Sequence, residues 1–488
     1  MTVAHASTVT VDGVARSSNT GIQVVIVGAG VGGLMTALEC WRKGNDVIVL
    51  EKSEKISAIG DVLVIGPSAW ATLQKYPNMA KDYDKFKHEV TYNFYSQQGE
   101  LLRGSQEVEW NWPAVAKHAS YPARIAGITA RQDIAALLFS QVQRLGSKVE
   151  FRTNIVEFSE DASRGTATAR AFDGREFTGD LVVAADGLGT KSHKVVLGQP
   201  ISAVHSGYAC LRGSFPTETV QNVPSVRALL PKADERPKVL VYTATKTHFI
   251  LTLTHQRVYV ALTAEDDGAA EESRSKTVNG SEIAARLSSS GEWAQAVIDC
   301  FENAPNGCVV SWKLCWRDPQ PKWTSKWSRI IQLGDSAHSF LPTSANGGTM
   351  AVEDALSLAE CLRMAGKADV PMASKVHEKL RYQRVSLIQK TGFVNRREMH
   401  RDMKTIMSKG KKAMLQGKWI WAHNHELYAK EKYAAARTAI EAATSFENSN
   451  LPPGHKWEPW TMAEELEKEA SGVFFQDLKT NGDWGVLA

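Results

Sequence analysis

The sequence predicts an α/β fold: a parallel core, an inserted antiparallel sheet and a helical C-terminal region. Three observations predict it. A glycine turn, Gly28-Ala29-Gly30-Val31-Gly32-Gly33, stands between an apolar strand-like run and a helix-like run. Two later apolar runs, 181–184 and 330–333, lead into acidic residues, Asp186 and Asp335. Between those runs, from about 206 to 263, the texture changes to several strand-like segments with short polar breaks. The predicted organisation is a flexible tail over 1–21 and a discontinuous nucleotide-binding unit over 22–90, 120–200 and 318–374. A second unit covers 91–119 and 201–317, and a helical region covers 375–488.

Composition narrows the function classes. A chain of 488 residues is too long for one simple core. Its apolar share of 43% and charged share of 23% are those of an ordinary folded protein. A formal net charge of +4 is small for this length and argues against nucleic acid as a partner. No run of about 18 apolar residues is present, so no membrane span is expected. The first twenty residues are small and polar, without the apolar and charged regions of a secretory signal, and read as a flexible tail. The six cysteines form no CxxC pair and no His cluster has ligand spacing, so neither a disulfide framework nor a metal site is expected. Cys40 and Cys361 fall in apolar helical patterns and read as buried packing. A reducing compartment, the cytoplasm, follows.

In chain order, 22–27 reads as a buried parallel strand, 34–43 as a helix and 47–50 as a second strand, completing one βαβ unit. Residues 129–145 carry Ile134, Leu137, Leu138, Val142 and Leu145 on one helical face. Strands are expected at 181–184, 208–214, 239–245, 249–254, 258–262 and 330–333. A hairpin over 92–95 and 101–103 adds to the inserted sheet. A helix through Ala359 follows the loop at Gly347 and Gly348. Trp110, Trp112, Trp419 and Trp421 read as packing, and Lys409, Lys411 and Lys412 as a solvated helix face.

The glycine turn has a physical reading. Gly28 permits the tight turn, Gly30 lets the backbone approach a pyrophosphate, and Gly33 lets helix and strand pack closely. The helix N-terminus offers N–H groups and the positive end of its dipole to phosphates. Glu51, at the end of the second strand, suits the two ribose hydroxyls, and Lys52 follows it. An acidic residue here favours FAD or NAD over NADP and leaves those two open.

The second motif is Asp180-Leu-Val-Val-Ala-Ala-Asp186-Gly187, and the third is Ile330-Ile-Gln-Leu-Gly334-Asp335-Ser-Ala-His338. With the glycine turn they form an ordered three-part pattern. It resembles the flavoprotein aromatic hydroxylases of the para-hydroxybenzoate hydroxylase and salicylate hydroxylase type, in their fungal salicylate hydroxylase-like branch. The likeness spans roughly residues 22–365. It implies a Rossmann-type FAD-binding domain with non-covalent FAD, and NADPH or NADH as a transient reductant. Asp335 would then hold the ribityl chain; taken alone it could equally cap the next turn. The stretch from Pro342 through Gly347 and Gly348 to Glu353-Asp354 matches the family segment beside the flavin ring. The helix after it would aim its N-terminus at that ring. Arg131 matches the family's helix-start Arg that contacts FAD. Two departures stand out. The loop Gly60-Asp61-Val62, then Gly66-Pro67-Ser68, replaces the family's glycine-alanine-glycine stretch, and His193 replaces an Arg.

The implied reaction uses dioxygen, activated on the reduced flavin as a hydroperoxide, to hydroxylate an aromatic small molecule. Such chemistry needs a dry cavity and a group that orients or activates the substrate. The inserted sheet is expected to supply the cavity floor, with Arg212 and Tyr242 as catalytic candidates. Taken without the resemblance, Arg212 reads as a surface strand residue. The sequence leaves open epoxidation of an indole or alkene in fungal secondary metabolism. It leaves open a reductase-like flavoprotein and an NAD-dependent dehydrogenase as well, since fold alone does not set function.

Overall fold

The computed structural model describes residues 9–56, 62–113, 124–266, 268, 276–400, 416–471, 478 and 480–485. A five-stranded parallel sheet forms the first layer, in the order Ile330–Gln332, Leu181–Ala184, Gln23–Val27, Asp46–Leu50 and Lys148–Glu150. Its central strands are near-continuous apolar runs, buried on both faces, as a covered parallel sheet requires. Gln23–Val27 lies between a strand reached early in the chain and one reached late. This is the switch point of the strand order, where the crevice beyond the strand ends opens.

Two helices cover one face of this sheet. Val31–Arg42 follows the glycine turn, and Gly347–Ala365 packs along it. A three-stranded meander, Ile155–Asp161, Thr166–Ala171 and Glu176–Gly179, covers the other face with Phe158, Ala167 and Ala169. The sequence reading did not foresee this meander, because its strands alternate with exposed charged residues and contain no long apolar run.

The second layer is an eight-stranded sheet in the order Thr277–Val278, Val309–Trp316, Val204–Pro216, Arg257–Glu265, Thr247–Leu253, Lys238–Ala244, Thr91–Ser96 and Leu101–Gln106. The expected hairpin is its edge. The sheet is antiparallel except where Lys238–Ala244 runs parallel to Thr91–Ser96. That contact joins segments distant in sequence, so no local turn dictates its direction.

The expected flexible tail needs correction. Val9–Val11 and Val14–Arg16 pair as a hairpin, Val14 is fully buried, and Arg16 Nη2 donates to Asp46 Oδ1 at 2.9 Å. The boundary expected at 375 falls within one thirty-residue helix, Val370–Met399. Trp421, Tyr428 and Tyr433 of the C-terminal region join the same core as Ile26 and Leu34. No helix among the described residues is long and apolar enough to cross a membrane. Cys40 and Cys361 are buried, as expected of packing residues.

Candidate active site

The C-terminal ends of the parallel strands converge on a cavity of about 1090 Å³ whose far wall is the eight-stranded sheet. Gly28, Gly30, Glu51, Lys52, Arg131, Asp186, Asp335, Pro342, Gly347, Gly348 and Arg212 all line it. Of the predicted site residues, Gly33 and Tyr242 do not.

The three fingerprint glycines have different reasons to be glycine. Gly28 has φ +104, and a Cβ there would strike the Ala185 backbone. A Cβ on Gly33 would strike the Gly28 carbonyl, so Gly33 serves helix–turn packing. A Cβ on Gly30 would meet nothing within 4 Å. Nothing in the protein demands glycine at Gly30, whereas a ligand backed against the turn would. Glu51 is fixed by two backbone donors: Ala29 N–H reaches Oε2 at 2.8 Å and Ser53 N–H reaches Oε1 at 2.8 Å. Each oxygen retains a lone pair for a further donor.

Two helix N-termini open into the cavity. The helices Val31–Arg42 and Gly347–Ala365 have no side-chain cap at Gly30 or Asn346, and neither has an acidic residue in its first turn. Their dipoles are thus left for anionic groups of a ligand. Arg131 opens the helix Arg131–Arg144 on another wall. Asp186 is tied to the third motif, since Ser336 Oγ donates to its Oδ1 at 3.2 Å and accepts Gly187 N–H at 2.8 Å. Burial pushes the Asp186 carboxyl up, against the hydrogen bonds of Thr190 and Ser336. An open Gly30, phosphate-seeking helix ends, an acceptor at Glu51 and a cavity of this size fit FAD.

Beneath the Pro342–Gly348 loop lies a buried ion network that the sequence reading missed. Arg381 Nε donates to Asp354 Oδ1 and its Nη1 to Glu353 Oε2, each at 2.8 Å. Arg384 Nε donates to Glu353 Oε2 at 3.2 Å, and Ser68 Oγ to Oε1 at 2.7 Å. His425 Nε2 lies 2.8 Å from Glu353 Oε1. Burial would raise both carboxyls, but the facing cations hold Glu353 and Asp354 well below the ordinary carboxylate range. The pair of arginines three residues apart is no distinctive signal on a helix that also carries Lys375, Glu378, Lys379 and Lys390, and their partners stand 27 to 31 residues away.

On the sheet, Arg212 faces the cavity with its guanidinium carbon 4.3 Å from the centre of the Trp312 ring. Tyr242 must be withdrawn as a catalytic candidate. Val239, Val241 and Thr243 of its strand line the cavity, and strand alternation turns Tyr242 to the opposite face. There it stacks on Tyr95 at 5.1 Å within a separate core containing Phe249 and Leu251. His193 is buried, with Nε2 3.2 Å from the Ser336 carbonyl. Trp110 and Trp112, expected only as packing, also wall the chamber. Val62 pairs with Ala130 and lines the cavity. Gly60, Asp61, Lys409, Lys411 and Lys412 lie outside the described residues.

The fold and cavity together define a dinucleotide-binding α/β protein in which a second sheet closes a chamber over the nucleotide crevice. Residues 21–378 match the family described as FAD binding domain. The chain is 36% identical over 477 residues to FAD-dependent monooxygenase fsr3 of Gibberella fujikuroi, covering 96% of this chain and 90% of that protein. It is 35% identical over 481 residues to FAD-dependent monooxygenase mdpD of Emericella nidulans, covering 96% and 91%. The solved structure of FqzB shares the fold with a TM-score of 0.79 at 24% identity, over 91% of this chain and 99% of that chain. A salicylate hydroxylase substrate complex does so with 0.66 at 18%, over 84% and 98%. The chain belongs to the flavoprotein monooxygenases built on this FAD-binding domain, and its cofactor is FAD.

Proposed function

We propose that this monooxygenase takes electrons from NADPH or NADH and hydroxylates a phenolic or related aromatic small molecule, within fungal secondary metabolism in the cytoplasm. The observation that carries this reading is the single chamber: the glycine turn, Asp335 and the Gly347 helix end share it with Arg212 and an apolar sheet face. Bound FAD supplies the redox chemistry that accepts the reductant's electrons and activates dioxygen.

The chain's own residues do the rest. Gly28 and Gly30, with the helix end that Gly33 lets pack behind them, hold the pyrophosphate without a covalent bond. Glu51, beside Lys52, takes the ribose hydroxyls. Asp335 takes the ribityl chain, Asp186 and Arg131 bracket it, and Pro342, Gly347 and Gly348 lie along the ring. Arg212 orients a substrate phenolate or carboxylate, a fixed cation in a site from which water is largely excluded. Val241, Ile250 and Phe340 supply apolar wall that keeps water from the reacting atoms.

The test is NAD(P)H oxidation by the FAD-loaded enzyme across a panel of phenols under isotopically heavy dioxygen. Substrate-stimulated oxidation with a product one labelled oxygen heavier, on the ring, is expected. A product carrying the label as an epoxide of an alkene or indole would replace hydroxylation with epoxidation. Absence of stimulation by every phenol would overturn the aromatic reading.

A further inference from the structure

Two histidines meet at the sheet side of the chamber. His248, on Thr247–Leu253, lines it together with Ile250 and Thr252 of the same strand face. His400 directly follows the helix Val370–Met399, whose last residue, Met399, also lines the chamber. His248 Nδ1 and His400 Nε2 lie 3.0 Å apart. A hydrogen bond between neutral imidazoles needs one protonated and one bare nitrogen, so this contact couples the tautomers of the two rings. With the hydrogen on His248 Nδ1, His400 accepts it and His248 Nε2 presents a lone pair.

The sheet register relates His248 to Arg212. Arg212 pairs with Ala261, which pairs with Ile250; His248 pairs with Thr263, which pairs with Cys210. Arg212 and His248 therefore face the chamber two strands and one side-chain row apart, about 12 Å between their Cα atoms. A one- or two-ring aromatic fits between a cation at one end and an imidazole at the other.

The surroundings keep the imidazoles uncharged. Burial pushes His248 down to about 4, and burial with the neighbouring His248 and Arg396 pushes His400 down to about 3. The groups facing the pair are the Tyr208 ring, 4.9 Å from that of His400, and Arg396, packed over Tyr208. Thr243 and Thr263 flank His248 on the adjacent strands, and the Lys246–Glu265 ion pair lies by the nearby hairpin.

We propose that His248 is the catalytic base for a phenolic substrate and that His400 is the residue that positions it. As the ring is oxygenated the substrate O–H bond breaks, the proton passes to His248 Nε2, and the electron pair stays on the substrate oxygen. The ring carbon bonds to one oxygen atom of the activated dioxygen as the O–O bond breaks; that carbon then loses its own hydrogen as a proton to the departing oxygen, which leaves as water, and the imidazolium returns its proton to the substrate oxygen, restoring aromaticity. The base need not be strong, because a phenol becomes acidic as its ring donates electrons to oxygen. This inference rests on the phenolic reading under Proposed function.

The test compares accepted phenols of ordinary acidity with an acidic phenol supplied above the pH at which it ionises, each turned over by the FAD-loaded enzyme. His248→Gln is expected to keep flavin occupancy and to lower product formation from the ordinary phenols about 10²–10⁴-fold. Product formation from the already ionised phenol, which has no proton to give up, should stay near wild type. His400→Asn, with the base intact but unaligned, is expected to lose part of the rate with the ordinary phenols only. An equal loss with both kinds of phenol, or no loss with either, would overturn the assignment of the base alone. Failure of wild-type holoenzyme to turn over any phenol would overturn the phenolic reading and the base with it. If His248→Gln does not fold, His248→Asn and the wild-type rate across phenols of graded acidity decide the matter; turnover confined to the ionised fraction of each phenol removes the base.

Discussion

His338 Nε2 and Asp354 Oδ2 lie 2.6 Å apart, both fully buried, beneath the turn that carries Asp335. The same Asp354 oxygen accepts Gly334 N–H at 3.2 Å. The third motif and the helix that follows it are thus fastened together by one carboxylate, which Arg381 secures from the other side.

Asp354→Asn should therefore destabilise the fold strongly. Removing the Asp354 charge leaves Arg381 to share Glu353 with Arg384 and takes the carboxylate from His338, and breaking a buried pair of this kind costs about 3–5 kcal/mol. Urea unfolding at neutral pH measures it. The pH dependence has a definite sign. The folded-state value of Asp354 is depressed, so its stabilisation is complete above the unfolded-chain value, about pH 4, and is lost as pH falls below that. The variant should show a flatter stability profile below about pH 4 than wild type; a loss within about 0.5 kcal/mol would mean that the pair contributes nothing.

Gly30→Ala and Gly33→Ala should separate ligand binding from folding. A Cβ at Gly30 has open space and one at Gly33 meets the Gly28 carbonyl. The first variant should melt near wild type when free of FAD and bind FAD more weakly. The second should lose stability outright, by about 1–3 kcal/mol for an overpacked contact. Thermal melts of apo- and holoprotein check both.

Asp335→Ala should weaken FAD binding by about 1.5–3 kcal/mol, the value of a hydrogen bond to a charged group. Fluorescence titration of the apoprotein with FAD reads this directly. Unchanged affinity would take Asp335 out of the ribityl contact.

Arg212→Ala and Tyr242→Phe form a contrasting pair. The first should keep FAD bound and reducible while lowering product formation by roughly 10²–10³, the usual effect of losing a preorganised donor. The second sits in the core behind the sheet, so turnover should stay near wild type. Single-turnover oxidation of the reduced enzymes distinguishes them, and a large loss in Tyr242→Phe would restore that residue to the chemistry.

Much of the cofactor half of the site was legible in the sequence because its requirements are local. A tight turn, a helix start and a strand end each fall within a few residues, so Gly28 and Glu51 could be picked out by spacing, and Asp186 and Asp335 by the resemblance that their strand-end motifs carry. Glycine was correct at Gly28 and Gly33 for reasons of backbone geometry that any chain would obey. The meander over the sheet was not legible, since its short alternating strands gain their burial only from the sheet they cover.

The sequence by itself determined the parallel core, a dinucleotide site and the presence of a second sheet, because these rest on periodicity and on motifs a few residues long; FAD rather than NAD followed from the resemblance that the three motifs carry together. Only the tertiary structure decided which face of each strand meets the chamber. A shift of one residue in register exchanges the two faces, so Arg212 was retained and Tyr242 was not. It also decided that Arg381 and Arg384 meet Glu353, and that His400 meets His248 across 152 residues. Such contacts follow from how the long helix crosses the sheets, a relation between distant segments that no local pattern in the chain encodes.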